Sequence, residues 1–143
     1  MGVWGMPEGF SQDALVLCFD YGLKRIGVAV GNLLTKSSRP LSVIHWTRNK
    51  NKWEEVLEFV RSWEPDVVVV GVPFHPDGKP NSMTAVCRNF GQDLQKRITV
   101  PVVYEDERYS SVEAQEYAQD DEIDDVAACV ILEQWLQRAG KSQ

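Results

Sequence analysis

Three features of the 143-residue sequence predict an α/β domain built on one mixed sheet. The apolar runs LVLCFD and RIGVAVG are separated by a short turn segment, which predicts an antiparallel hairpin. Downstream, strand-like runs alternate with segments of helical period, the pattern of a sheet with helices packed on it. DVVVVGVP is an almost unbroken β-branched run, as expected of a strand covered on both faces.

The elements follow in chain order. Residues 1–14 read as a loose arm, and residues 15–143 as a single domain. The first strand starts at Leu15 and ends in Asp20; the second begins after Tyr21-Gly22-Leu23-Lys24, and PLSVIHW supplies a short third. NKWEEVLEFVRSW places Trp53, Val56, Leu57, Val60 and Trp63 on one helical stripe, so it is an amphipathic helix. DVVVVGVP ends at Gly71 and Pro73, where a loop begins. A second helix is predicted from about Asn81 to Arg97, capped by Asn81 or Ser82. VPVVYED is a further buried strand, and SVEAQEYA and DDVAACVILEQWLQRA are helical. The order is β-β-β-α-β-α-β-α: five strands flanked by helices.

Composition bounds the function. With 43% hydrophobic and 25% charged residues the chain is an ordinary globular domain rather than a disordered or fibrous one. Cys18, Cys87 and Cys129 form no CxxC pair, which suits a reducing compartment and a core role. No apolar run reaches 18 residues, and MGVWGMPEGFSQDA has neither a basic nor an apolar leader region, so the reading is cytoplasmic with no membrane partner. A net charge of −6 argues against a non-specific nucleic-acid coat protein. The distribution is uneven. Residues 1–52 carry seven Lys or Arg against three acids, whereas residues 105–125 carry ten acids against Arg108 alone.

Functional groups of such sheets gather at the carboxyl ends of parallel strands. Asp20 ends the first strand, a loop from Pro73 follows the fourth, and Glu105-Asp106-Glu107 ends the fifth. If Asp124 opens the last helix, it shares a stripe with Ala128, Ile131 and Trp135, and so faces the core. A helix N-cap explains a carboxylate there equally well, and Asp125 competes for either role. The functional alternative is convergence of Asp20, one acid of the 105–107 group and Asp124. Carboxylates held together repel one another unless divalent cations neutralise them. An all-oxygen ligand set selects Mg²⁺ or Mn²⁺, and Mg²⁺ sites commonly include substrate phosphates. His45 and His75 lack zinc-site spacing, and no phosphate-binding GxxxxGK[ST], dinucleotide GxGxxG or nucleophile-elbow GxSxG occurs.

LCFDYGLKRIGVAVG, RPLSVI, VVVVGVPFHPDGKPNSMTAVCRNFGQDL, VPVVYEDERYSSVEA and IDDVAACVILEQWL resemble, in that order, the YqgF (RuvX) family over Leu15 to Gln137. The resemblance implies a ribonuclease-H-like fold. The family is described as Holliday-junction-resolvase-like and as the nuclease proposed to mature the 5′ end of the 16S rRNA precursor. Carried over, its acids fall on Asp20, on Glu107 within DER and on Asp124, as metal ligands and catalytic residues for two Mg²⁺ or Mn²⁺ ions. The match makes Asp106 a flanking residue and Glu105 a surface acid. Lys24, Arg25, Lys79 and Arg108 are candidate nucleic-acid contacts. For Lys24 and Arg25 an exposed strand edge is the alternative, and for Arg108 a salt bridge. Tyr21 and Tyr109 fit either base stacking or packing. Family members have a longer, basic stretch where EYAQDDEIDD is short and acidic, which implies weak, salt-sensitive binding. The implied activity is phosphodiester hydrolysis in structured RNA. Resolution of four-way DNA and a non-catalytic binding module are the alternatives, with monomer and homodimer both open.

Overall fold

The computed structural model describes residues 14–45, 52–107 and 120–141. The expected arm before Ala14 and the expected helix SVEAQEYA lie outside the described residues. The elements among the described residues are β1 (Leu15–Tyr21), β2 (Arg25–Asn32), β3 (Ser37–His45), α1 (Lys52–Trp63), β4 (Val67–Val72), α2 (Thr84–Arg97), β5 (Val102–Asp106) and α3 (Asp120–Lys141). The strands form one sheet in the order β3-β2-β1-β4-β5. β1 pairs antiparallel with β2, and β2 with β3, whereas β1, β4 and β5 run parallel. The expected mixed five-stranded sheet is what forms.

Alternation along each strand divides the core between two faces. Leu17, Phe19, Val28, Val68, Val70 and Tyr104 pack with Val56, Val60, Phe90 and Leu94 of α1 and α2. Val16, Cys18, Ala29, Val69 and Val103 face Ala128, Ile131, Leu132 and Trp135 of α3. All six residues of β4 are buried, which explains its lack of polar alternation. Ala14 is also packed: it is buried, and its carbonyl accepts from the Leu33 N–H at 3.0 Å. Trp135 is fully buried, while Trp53 and Trp63 lie at the core margin. Cys18 and Cys87 are buried and Cys129 half-buried, none of them in a disulfide.

Three boundaries differ from expectation, the start of α2 at Thr84 rather than Asn81 among them. β3 starts at Ser37, before Pro40, because it is an edge strand: proline costs no ladder bond there, and the register shift opposite Val28/Ala29 absorbs the irregularity. α3 starts at Asp120, so Asp124 lies one turn inside the helix and is not its N-cap.

Between β4 and α2 the chain forms a small hairpin. The His75 carbonyl accepts from Gly78 N–H at 2.8 Å, the His75 N–H donates to Lys79 O at 2.8 Å, and Gly78 has φ 93°. Pro76 at the second turn position and Gly78 in the left-handed region are what this turn requires. The following helix is anchored by Asn81, whose Oδ1 accepts from Met83 and Thr84 N–H at 2.8 and 3.1 Å. Thr84 Oγ1 donates to Pro73 O at 2.5 Å. Neither Asn81 nor Ser82 is the N-cap: α2 starts at Thr84 with Met83 as its cap, and Asn81 acts from two residues before the cap, its short side chain accepting the N–H groups of Met83 and Thr84.

Candidate functional site

The parallel strands β1, β4 and β5 end at one edge of the sheet, and side-chain parity selects what faces α3 there. Asp20 follows Val16 and Cys18 on the α3 side of β1. The β1/β4 ladder last pairs Phe19 with Val70, so Gly71 is the next residue along β4. Gly71 pairs in turn with Glu105 of β5. Glu107 extends that ladder by one bond, its N–H donating to Val72 O at 3.1 Å, and two-residue parity returns its side chain to the α3 face. Asp20 and Glu107 therefore do not end neighbouring strands, because β4 lies between them.

Gly71 closes that gap by having no side chain. A Cβ there would overlap Glu107 Oε2 and come within 2.8 Å of Ile131 Cδ1 of α3. Glu107 Oε2 is shut off from solvent and makes no hydrogen bond. Burial, and then the charge of Asp106, push the Glu107 carboxyl up to about 7. An orphaned buried carboxylate oxygen is costly unless a proton or a cation satisfies it.

Two thiols sense both acids. Burial pushes the Cys87 thiol up, with Glu107 and then Asp20 adding to it. Burial likewise raises Cys18, followed by Asp20, Cys129, Glu107 and Glu105. Cys87 belongs to α2, and its Sγ lies 3.5 Å from the Tyr21 carbonyl. Asp20 and Glu107 thus share one electrostatic neighbourhood bounded by β1, β4, β5 and the start of α2.

Glu105 is not a surface acid. It is 2% exposed, and it forms an ion pair with Arg138 and accepts from Gln134 Nε2 at 2.5 Å. Burial raises its carboxyl, while Gln134 and Arg138 pull the other way. Its position on the α3 face of β5 is what buries it. Asp106, on the opposite face, is half-buried at the strand end.

Lys24 is exposed in the β1–β2 turn, where the Gly22 N–H donates to Arg25 O at 2.9 Å. A Cβ on Gly22 would stand 2.9 Å from that same oxygen, so the tight turn itself accounts for the glycine. Arg25 is half-buried opposite His45 of β3. Lys79 is exposed on the hairpin, and Asp77 Oδ1 accepts its N–H at 2.9 Å. Tyr21 stacks on Phe90, with ring centroids 4.5 Å apart, which is packing. Arg108 and Tyr109 lie outside the described residues. Asp124 and Asp125 are in the backbone of α3, but their side chains lie outside the described residues. By helical spacing Asp124 shares a stripe with Ile131, and Asp125 with Leu132 and Leu136. Their stripes differ in target: Ile131 meets Gly71, whereas Leu132 and Leu136 meet Gly31 of β2.

Among the described residues no three His, Cys, Asp or Glu side chains form a ready metal cluster. Asp20 and Glu107 lie on the same face of the sheet, on strands either side of β4. Gly71 went unnoticed as a site residue, although a glycine interrupting VVVVGV is a legible sign of close approach. Gln134 and Arg138 left no local sign. Among the described residues no helix is long and apolar enough to cross a membrane.

Comparison with known proteins identifies the family and the fold. A relative from Paraburkholderia phytofirmans, named as a candidate pre-16S rRNA nuclease, is 46% identical over 136 residues, covering 92% of each chain. A relative from Burkholderia mallei with the same name is also 46% identical, covering 92% of this chain and 93% of its own. The fold is similar to that of T. thermophilus RuvC in complex with a Holliday junction substrate, with TM-score 0.57, 17% identity and coverage of 90% and 97%. It is also similar to the yeast mitochondrial Holliday junction resolvase Ydc2, with TM-score 0.55, 9% identity and coverage of 98% and 82%. The fold is accordingly ribonuclease-H-like. Residues 14–138 match the family described as RuvX, Holliday junction resolvase, and the chain belongs to that family.

Proposed function

We propose that this protein is a divalent-metal-dependent endonuclease that hydrolyses phosphodiester bonds in structured RNA, acting at the 5′ end of the pre-16S rRNA. The observation that carries this reading is Oε2 of Glu107, shut off from solvent and without a hydrogen-bond partner over Gly71, on the same face as Asp20. Carboxylate oxygens are donors for a hard cation, so the residues present fit Mg²⁺ or Mn²⁺. Asp20 and Glu107 would hold the metal, with Asp124 as the third ligand. When bound, such ions polarise the scissile phosphate and lower the pKa of a coordinated water.

The chain's own residues supply the rest. Gly71 leaves room for the Glu107 carboxylate, and the surrounding apolar packing keeps that oxygen dry. The exposed cations Lys24 and Lys79 flank the carboxyl edge of the sheet and suit phosphate contacts, as do Arg25 and Arg108. The acids near Asp120 oppose a polyanion, so affinity is weak and falls steeply with salt. The names of the relatives favour RNA processing. The family description favours a second reading, resolution of four-way DNA, which calls for two symmetry-related sites and hence a homodimer.

The test is cleavage of end-labelled pre-rRNA leader and of a synthetic four-way junction, each with Mn²⁺, Mg²⁺ or EDTA. Asp20→Asn and Glu107→Gln serve as controls. RNA cutting that needs metal and disappears in both variants is the expected result. Cutting of the junction alone would select resolution. No cutting of either substrate, with binding retained, would make the protein a non-catalytic module.

A further inference from the structure

Gln134 spends both of its amide N–H donors on the end of β5. Nε2 donates to Glu105 Oε2 at 2.5 Å and to the Asp106 carbonyl at 2.8 Å. Arg138, one turn along α3, holds the other Glu105 oxygen in an ion pair. Glu105 is buried and Arg138 half-exposed, so the pair spans from the α3–sheet interface to the surface. The Asp106 carbonyl belongs to the peptide that leads into Glu107, and Ile131 on the same helix closes over Gly71 beside the Glu107 carboxylate. An ion pair alone would tie the helix to β5. The backbone bond from Gln134 does more, because it restrains the residue from which Glu107 projects.

We infer that Gln134, oriented by Glu105 and Arg138, is a positioning residue that fixes the Asp106–Glu107 peptide and so aims the Glu107 carboxylate into the metal site. The inference rests on the nuclease reading above. Outer-sphere hydrogen bonds of this kind set ligand orientation, and their loss typically weakens metal binding by about 10- to 100-fold.

The test uses the full chain with Mn²⁺ alone as probe, followed by cleavage kinetics. Gln134→Met keeps the length and the apolar stem while removing the amide donors. Mn²⁺ affinity should fall about tenfold, and kcat should fall with KM for nucleic acid unchanged. The loss of Mn²⁺ affinity should disappear when Glu107 is already Gln. Arg138→Met, which leaves Gln134 in place, should give a smaller loss of the same kind. A lowered Tm with unchanged Mn²⁺ affinity, or a loss of the same size in the Glu107→Gln background, would overturn the inference and leave the nuclease reading standing. If wild type and Glu107→Gln bind Mn²⁺ alike, the site reading itself fails, and the inference falls with it.

Discussion

The carboxylate of Glu107 occupies the space that a side chain at residue 71 would fill, so Gly71 and Glu107 act as one unit across the β4–β5 edge. Gly71→Ala should therefore disturb both stability and function. The added methyl overlaps Glu107 Oε2 and crowds Ile131 Cδ1, both ends of flexible side chains, so the carboxylate is displaced at the low end of overpacking costs, about 1 kcal/mol. Urea unfolding and a Mn²⁺ titration of the same variant check this. Wild-type values in both would mean that Glu107 does not depend on the gap.

The raised carboxyl of Glu107 makes a signed prediction for pH. Its folded-state value, about 7, lies above that of an unfolded glutamate, so the protonated form favours the folded state. That contribution is complete below the unfolded pKa and is lost as pH rises through 7. In EDTA, Glu107→Gln should gain stability relative to wild type between pH 5 and pH 8, by on the order of 2 kcal/mol. Parallel stability curves for the two proteins would refute the assignment.

Asp124 and Asp125 belong to neighbouring stripes of α3. The Asp124 stripe leads to Ile131 at Gly71, and the Asp125 stripe to Leu132 and Leu136 at Gly31. Asp124→Asn should weaken Mn²⁺ binding at least tenfold more than Asp125→Asn, as expected for loss of an inner-sphere ligand. The reverse order would shift the third ligand by one residue.

The hairpin after β4 presents Lys79 on a turn that depends on Gly78. Lys79→Ala should weaken substrate binding at low salt and reduce the slope of log affinity against log salt by about 1. Gly78→Ala, at φ 93°, should cost about 1 kcal/mol in backbone strain and loosen the presentation of Lys79. An unchanged salt slope in Lys79→Ala would take this residue out of the nucleic-acid contact.

Much of this protein was decided within short stretches of sequence. Two-residue alternation and the helical stripe of Trp53, Val56, Val60 and Trp63 specify which side of each element is buried, because side-chain direction is a local property of the backbone. The same locality puts Asp20 and Glu107 at strand ends, and the PDG turn follows from the conformations open to proline and glycine. Tertiary structure decided who meets whom. β4 inserted between β1 and β5, so the two acids end strands on either side of Gly71 rather than on paired strands. Glu105 became an interior ion pair through Arg138, 33 residues away, and Gln134 reached the Asp106 carbonyl across 28. Burial and charge pairing of that kind depend on which distant surfaces pack together, and no local period in the chain encodes that.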